Sequence, residues 1–373
     1  MVGYKQSLLL RNKQSLLFHN NLPLVSIVVV TFNSQKYISD CLEAIFKTKY
    51  ENFEVIVIDN GSTDKTLELV EEKFPLAKII KSPKNLGYAG GNNLGARHAR
   101  GEYIGILNPD TQVSRDWLVP LMVAIKLPKV VACQPKIMLA QTRSLINLTG
   151  KTTHFLGFEW LTDYQKKDYK ISQKEITSFS GSAVLIKKDI FGQIGGFDDD
   201  FFMYYEDGDL SWRARLAGYK VLLVPESVVY HEYKYQPEEE YQKAKQKFYY
   251  LERNRLLMML KNYSLRSLAL LLPAVLFIEV GMNFYFFTRG WWKEKTKGYF
   301  WILKSFTEVL NKRQKVQRLR QLSDEEICQN FVSKIEFKEF DNFLIKYFAN
   351  PLFSFYWGVV KRLIWEKAYS KQV

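Results

Sequence analysis

The chain has 373 residues, is 47% hydrophobic and 15% aromatic, and carries a net charge of +14. Its length suits one sizeable α/β domain with a smaller appendage, and its apolar fraction is ordinary for a globular protein. The basic balance calls for an acidic partner; with no recognisable nucleic-acid-binding module, nucleic acid is excluded in favour of anionic lipid or phosphorylated small molecules. Cys41, Cys133 and Cys328 lie far apart without pairing or metal-ligand spacing, which points to a reducing compartment.

Residues 1–22 read as an N-terminal arm holding a short tandem repeat, Lys5 to Asn12 followed by Lys13 to Asn20. From Pro23 the texture changes. Residues 25–31 form a β-branched apolar run, suited to a strand buried on both faces. A helical pattern follows through Ile38, Leu42, Ile45 and Phe46. A second buried strand over 53–58 ends at Asp59-Asn60-Gly61, residues 77–81 read as a third, and 103–107 as a fourth that ends at Asn108-Pro109-Asp110. Strand and helix alternate, so a mostly parallel sheet with helices on both faces is expected, with ligands at the carboxyl ends of the strands. Further strands are expected near 182–186 and 220–224. A helix over about 237–262 carries Tyr249, Arg253, Asn254 and Arg255. The chain divides on this reading into an arm (1–22), an α/β domain (23–262) and a helical, basic and aromatic C-terminal region (263–373).

Several constellations carry chemistry. Asp59 at a strand end can accept hydrogen bonds from a nucleobase N–H or a ribose hydroxyl, and it also suits a turn former or helix cap. The stretch Asn85 to Gly95, with Gly87, Gly90, Gly91 and Asn93, reads as a glycine-rich loop leading into a helix, where the backbone can approach a phosphate or nucleoside. Asn108-Pro109-Asp110 aims a carboxylate into the cleft, where a divalent cation bridging two phosphates needs oxygen ligands. Its Pro also fits a type I turn. Glu206, Asp207 and Asp209 place three acids in four positions. Mutual repulsion leaves one of them with a raised pKa to serve as general base, while Asp209 suits a cap for residues 210–217. His231 is one of four histidines, and alone it reads more readily as a packed residue than as a ligand.

In order along residues 23–262, these motifs resemble the family 2 glycosyltransferases with the GT-A fold, and most of all the rhamnosyltransferase-like branch, whose members build cell-surface polysaccharides. The resemblance implies that Asp59 holds the nucleobase with Thr31 and Asn33 on the nucleoside side, and that Asn85, Gly87 and Asn93 belong to the nucleotide site. It implies that Asp110 binds Mg²⁺ or Mn²⁺ with His231 as a further metal or diphosphate ligand. Asp207 is then the base of a single inverting displacement. Glu206, Asn108, Gly196, Phe197, Asp198, Asp209 and Trp212 shape the catalytic, sugar and acceptor pockets. The family's usual Asp-x-Asp is here Asn108-Pro109-Asp110, so one anionic ligand is lost. No Gln-x-x-Arg-Trp motif is present, which favours single-residue addition over polymer extrusion.

Residues 268–287 are long enough to cross a bilayer, but Pro273, Glu279 and Asn283 interrupt them. Ten Lys/Arg against two Glu over 289–320 favour a helix lying in the interface at the cytoplasmic face of the membrane, ahead of a single span or a buried helix. The expected substrates are a UDP- or dTDP-linked sugar, with rhamnose a candidate, and a glycan or polyprenyl-linked acceptor. A sugar-nucleotide-binding protein without catalysis and a nucleotidyltransferase stand as alternatives.

Overall fold

The computed structural model describes residues 22–233, 241–336 and 343–365; the repeat at residues 5–20 lies outside them. In chain order the elements are β1 (Val25–Thr31), α1 (Ile38–Phe46), β2 (Phe53–Asp59), α2 (Thr66–Lys73), β3 (Lys78–Lys81), α3 (Gly87–His98), β4 (Tyr103–Leu107), β5 (Thr111–Val113), α4 (Leu118–Ala124) and β6 (Val130–Leu139). Then come β7 (Ile146–Leu148), β8 (Lys151–Thr153), β9 (Glu159–Leu161), β10 (Lys174–Glu175), β11 (Ala183–Lys187), α5 (Lys188–Gln193), α6 (Glu206–Leu216) and β12 (Lys220–His231). The helical remainder is α7 (Tyr241–Asn262), α8 (Leu265–Thr288), α9 (Trp292–Lys304), α10 (Phe306–Leu319), α11 (Asp324–Ile327) and α12 (Asn350–Trp365).

Ten strands form one sheet, with order β10-β12-β6-β11-β4-β1-β2-β3; β5 adds to β12 and β7 to β6. β3, β2, β1 and β4 run parallel, whereas β11 is antiparallel to both β4 and β6. The β-branched run of β1 feeds two cores. Val25, Ile27 and Val29 pack under α1 and α4 on one face, and Val28 packs under α3 and α6 on the other. Alternation about a buried strand requires this division.

The glycines of residues 85–95 act differently from the expected phosphate loop. Most of them lie inside α3, and they bring it down onto β1. A Cβ on Gly95 would fall 2.3 Å from Val28 Cγ1, and one on Gly91 would fall 2.6 Å from Val30 Cγ1. Side chains at these positions would lift the helix off the sheet.

A third core joins both halves of the chain. Phe155, Phe158, Phe201 and Trp212 share it with Tyr263, Leu271, Phe286, Phe353 and Trp357. Phe155 stacks on Trp357, with ring centroids 4.8 Å apart. The division expected between residues 262 and 263 therefore cuts through a common core.

α8 is 24 residues long and apolar enough to cross a membrane, yet 28% of its most apolar window is buried against the protein. Glu279 explains why that face stays covered. Its carboxylate meets Arg255, Lys295 Nζ (2.7 Å) and the Tyr299 hydroxyl, and Lys295 also reaches Glu252 at 2.5 Å. Burial raises the Glu279 pKa, but the two cations outweigh it and hold the carboxylate well below the usual range. Glu279→Ala leaves Arg255 and Lys295 with one acid between them. The expected cost is about 3–5 kcal/mol, read as a lowered denaturation midpoint with an unchanged slope.

Candidate active site

The carboxyl edge of the parallel strands gathers the first group. Register sets Thr31 of β1 beside Asp59 of β2, and Asp59 beside Lys81 of β3. Asp59 is buried, and its Oδ1 accepts from the Ser62 N–H (3.2 Å). The Thr31 hydroxyl is buried without a hydrogen-bond partner among the described residues. Asn33 adopts a left-handed backbone (φ 51°) and ties the two strand-end loops together. Its N–H donates to Ser62 Oγ (3.0 Å) and its Oδ1 accepts from the Thr63 N–H (2.8 Å).

Asn60 escaped the sequence reading. Its side chain donates to Gly87 O (2.9 Å) and accepts from the Leu86 N–H (3.3 Å), which pins the start of α3. Asn85 accepts from the Gly87 N–H (2.8 Å). Gly87, at φ +71°, lies so close to Phe202 that a Cβ would fall 2.3 Å from Phe202 O. Asn93 is a clip: it donates to Phe197 O (2.8 Å) and Asp199 Oδ1 (2.7 Å) and accepts from the Phe197 N–H (3.0 Å).

The second group forms where β5 pairs antiparallel with β12, setting Thr111 opposite His231. His231 Nε2 then lies 3.3 Å from Asp110 Oδ1. Nδ1 pairs with Asn147 Oδ1 (3.0 Å), and in the tautomer whose Nδ1–H donates there, Nε2 keeps its lone pair for a ligand. Nε2 and the Asp110 carboxylate are close enough to share one cation. Asp110 Oδ1 is buried with no hydrogen-bond partner among the described residues, in keeping with that. No group of three His, Cys, Asp or Glu suited to a metal occurs among the described residues; Asp110 and His231 are a pair that could supply two ligands. Asn108 is anchored through its backbone: its N–H donates to Ser182 O (3.0 Å) and its carbonyl accepts from Thr111 Oγ1 (2.7 Å).

The third group sits at the start of α6. The approach to it is strained, with Phe202, Tyr204 and Tyr205 at φ of 60°, 65° and 70°. Asn254 holds this loop. Its amide donates to Phe201 O (2.9 Å), Met203 O (2.9 Å) and Tyr204 O (2.8 Å), while Arg253 binds Asp200 O. Asp207 is then clamped: Lys151 Nζ lies 2.5 Å from Oδ1, and the Gly181 N–H donates to Oδ2 (2.9 Å). Ser182, the next residue, receives the Asn108 N–H, so one short segment links the Asp110 turn to the Asp207 carboxylate.

Lys151 and Glu159 carry no sequence signal, since they come from a β-hairpin some fifty residues upstream. Burial works against the Lys151 charge, but Asp207 and Glu159 hold it protonated above its ordinary range. Burial, helped by the Asp207 charge, pushes Glu206 up to about 8. Burial likewise pushes Glu159 up to about 7, against the pull of Lys151. Thus one neighbour of Asp207 keeps its proton at neutral pH while a lysine compensates the other charges.

Five residues expected to line a pocket prove to be supports behind it. Asp209 is no cap: it is fully buried one turn into α6, with Arg213 Nε at 2.7 Å, Asn262 Nδ2 at 2.9 Å and Lys261 Nζ at 3.0 Å. Asp198 is held by Lys261 and by Lys312 Nζ (2.7 Å). Phe197 packs against Tyr88 and Phe191, and Gly196 O accepts from Arg213. Trp212 meets Tyr263 and Phe331 edge-on, inside the third core. Their physical environment explains the difference. Residues from 261 onward cover Asp198, Asp209 and Trp212, whereas Tyr88, Phe191 and Arg213 cover Phe197 and Gly196.

Residues 26–195 match the sequence profile of glycosyl transferase family 2. Residues 26–195 form a family 2 glycosyltransferase domain. The chain is 28% identical over 229 residues to N-acetylglucosaminyl-diphospho-decaprenol L-rhamnosyltransferase of Mycobacterium tuberculosis, covering 55% of this chain and 75% of that one. Among family 2 glycosyltransferases it therefore sides with the rhamnosyltransferase-like branch. The fold is similar to that of GalNAc-T7 solved with UDP, GalNAc and Mn²⁺ (TM-score 0.53, 18% identity), covering 64% of this chain and about half, 48%, of that one. It is also similar to the Pyrobaculum calidifontis mannosyltransferase PcManGT in complex with GDP-Man and Mn²⁺ (TM-score 0.50, 18% identity), covering 80% of this chain and 86% of that one. These likenesses make the fold of the glycosyltransferase domain GT-A-like.

Two measurements test the acid cluster at the start of α6. Asn254→Ala removes the donor shared by three carbonyls and is expected to cost about 2–3 kcal/mol in a denaturant titration. Glu206 releases its proton near its ordinary value of 4.5 when unfolded but near 8 when folded. The folded state therefore binds the extra proton between these values, and stability falls as pH rises through that window. Glu206→Gln should flatten the stability–pH curve there; a wild-type curve already flat from pH 4.5 to 8 refutes the assignment.

Proposed function

We propose that the chain is an inverting, metal-dependent, nonprocessive glycosyltransferase. It moves a sugar from a UDP- or dTDP-linked donor, with rhamnose a candidate, to a hydroxyl of a glycan or polyprenyl-linked acceptor in cell-surface polysaccharide synthesis. The site would face the cytoplasmic side of the membrane. The observation that carries this reading is the convergence of three groups at one edge of the sheet: Thr31 and Asp59, the facing pair Asp110–His231, and the Glu206–Asp207 step of α6.

Thr31 and Asp59 offer a buried hydroxyl and a carboxylate to the nucleoside, and Asn33, Asn60 and Asn85 hold the loops around them. Asp110 and His231 would hold Mg²⁺ or Mn²⁺, with the remaining ligands supplied by diphosphate oxygens. When bound, the cation supplies positive charge to the departing diphosphate. Asp207 takes the proton of the acceptor hydroxyl as its oxygen forms the new bond at the anomeric carbon and the bond to the diphosphate breaks. Lys151 donates to Asp207 Oδ1 and fixes its orientation for that role. Glu206, still protonated at neutral pH, can donate a hydrogen bond where Asp207 can only accept.

One observation favours a second reading. Asn108 stands where a second acid would strengthen cation binding, so a sugar-nucleotide-binding protein without turnover remains the rival. The family match leaves the nucleotidyltransferase alternative without support.

Thermal unfolding in UDP, dTDP or GDP, with and without Mn²⁺, tests the donor site. One diphosphate is expected to stabilise, by about 2.7 kcal/mol at a hundredfold excess over its Kd. Mn²⁺ should enlarge the shift, and Asp110→Ala should abolish that enlargement. No response to any of the three, in folded protein, sinks the reading; a response without release of free diphosphate from any matching nucleotide sugar favours the rival.

A further inference from the structure

Most of the exposed large hydrophobic side chains among the described residues lie between Leu265 and Leu363. They are ordered. On α8, Leu272, Leu276, Val280 and Phe284 follow one another at four-residue spacing and so share one face. The opposite face, with Leu271, Ala274, Ile278, Met282 and Phe286, is buried in the third core. α9 and α12 flank α8. Asn283 of α8 donates to the Tyr299 hydroxyl of α9 (2.9 Å), Tyr356 of α12 donates to Leu270 O (2.5 Å), and Phe277 meets Phe353 edge-on. α9 exposes Phe300 and Leu303, and the segment entering and forming α12 exposes Phe348 and Phe355. Exposed apolar side chains gathered on three neighbouring helices mark an interaction surface.

The charge beside this surface says what covers it. Lys293, Lys297 and Lys304 are exposed along α9, interleaved with Trp292, Phe300 and Leu303. Of the ten Lys/Arg over 289–320, Lys295, Lys312 and Arg320 pair with acids inside the protein and Arg313 is buried, so Lys293, Lys297 and Lys304 of α9 stand out as surface charge. A second copy of the chain would bring the same positive charge, and repulsion would oppose the contact. An anionic bilayer offers hydrocarbon to the α8 stripe and negative headgroups to the lysines, which can extend along their own stems to reach them.

We propose that α8, α9 and α12 form a monotopic platform that lies in the interface of an anionic bilayer, with the Leu272–Leu276–Val280–Phe284 stripe in the acyl layer and the α9 lysines among the headgroups. α8 does not span. It is about 36 Å long at the helix rise, enough to cross. Crossing, however, would draw its inner face, Glu279 with Arg255, Glu252 and Lys295, and the lysines of α9 into hydrocarbon, where charge is expelled. Glu279 and Asn283, which interrupt the apolar run, are instead engaged by α7 and α9. The platform deepens the membrane-facing part of the proposed function but rests on its own observations.

The test is flotation of the full chain with vesicles of phosphatidylcholine, alone or with about one part in three of phosphatidylglycerol. Binding is expected to the anionic vesicles and to be weaker to neutral ones by about tenfold or more. Val280→Glu with Phe284→Glu should weaken it by at least about tenfold, since both side chains are exposed and their loss leaves the core intact. Lys293→Glu with Lys297→Glu should remove the preference for the anionic lipid. Leu76→Glu, at an exposed apolar residue on the other side of the domain sequence, should change nothing. Leu265→Cys and Thr288→Cys should both react with an impermeant maleimide added outside the vesicles, the native Cys41, Cys133 and Cys328 being buried. Protection of one but not the other would mean a span and overturn the proposal. So would failure to float, or self-association abolished by Val280→Glu with Phe284→Glu without vesicle binding. Nucleotide-dependent stabilisation measured on the same preparations separates the two claims: it survives if only the platform is wrong and vanishes if only the donor site is wrong.

Discussion

Three consecutive side chains of α7 hold the molecule's two working surfaces to one another. Arg253 and Asn254 reach the strained loop that delivers Glu206 and Asp207, and Arg255 turns the other way, to Leu156 O, Glu252 and Glu279 of α8. All three are buried. A guanidinium out of water is tolerated only with nearly every donor engaged, and here the engaged acceptors belong to different parts of the chain. The loop would relax towards ordinary backbone angles without Asn254, and without Arg255 the buried Glu279 of α8 would be left with Lys295 as its cation partner. The C-terminal helices are therefore part of the construction of the acid cluster and not an appendage to a finished domain.

Electrostatic pairing divides the cleft into two kinds of site. At the Asp110–His231 pair, a carboxylate oxygen without a hydrogen-bond partner among the described residues stands 3.3 Å from an imidazole nitrogen. At Asp207 the opposite holds: a buried lysine satisfies one oxygen and a backbone N–H the other, so both oxygens are engaged by donors. Glu206 and Glu159 stand beside it with raised affinities for protons. Adjacent acids with different environments can divide the tasks of accepting and donating a proton, which identical surroundings would forbid.

The platform follows from the same economy of buried charge. Glu279 is turned inward, and the exposed Asn283 is engaged by the Tyr299 hydroxyl beside the apolar stripe. The lysines of α9 sit at its edge, so the surface presents hydrocarbon and positive charge together, as a helix lying in a lipid interface requires.

The sequence by itself determined the sheet and its carboxyl edge. β-branched runs end abruptly at Thr31, Asp59 and Asn108, and local periodicity encodes both strand and face. It also marked the glycine run, the acid triplet, and the apolar helix with its interruptions. Partners were decided only by tertiary structure. Asp110 meets His231 because β5 registers against β12, and Asp207 meets Lys151 because a distant hairpin folds under α6. Gly91 and Gly95 look like a loop in sequence but serve close helix–sheet packing; Asp209 and Trp212 look like cleft residues but are covered by α7 and the segment around Phe331. Neighbouring residues declare backbone preference and amphipathic face, whereas the identity of a contact across a core depends on strand register and helix packing, which no local pattern carries.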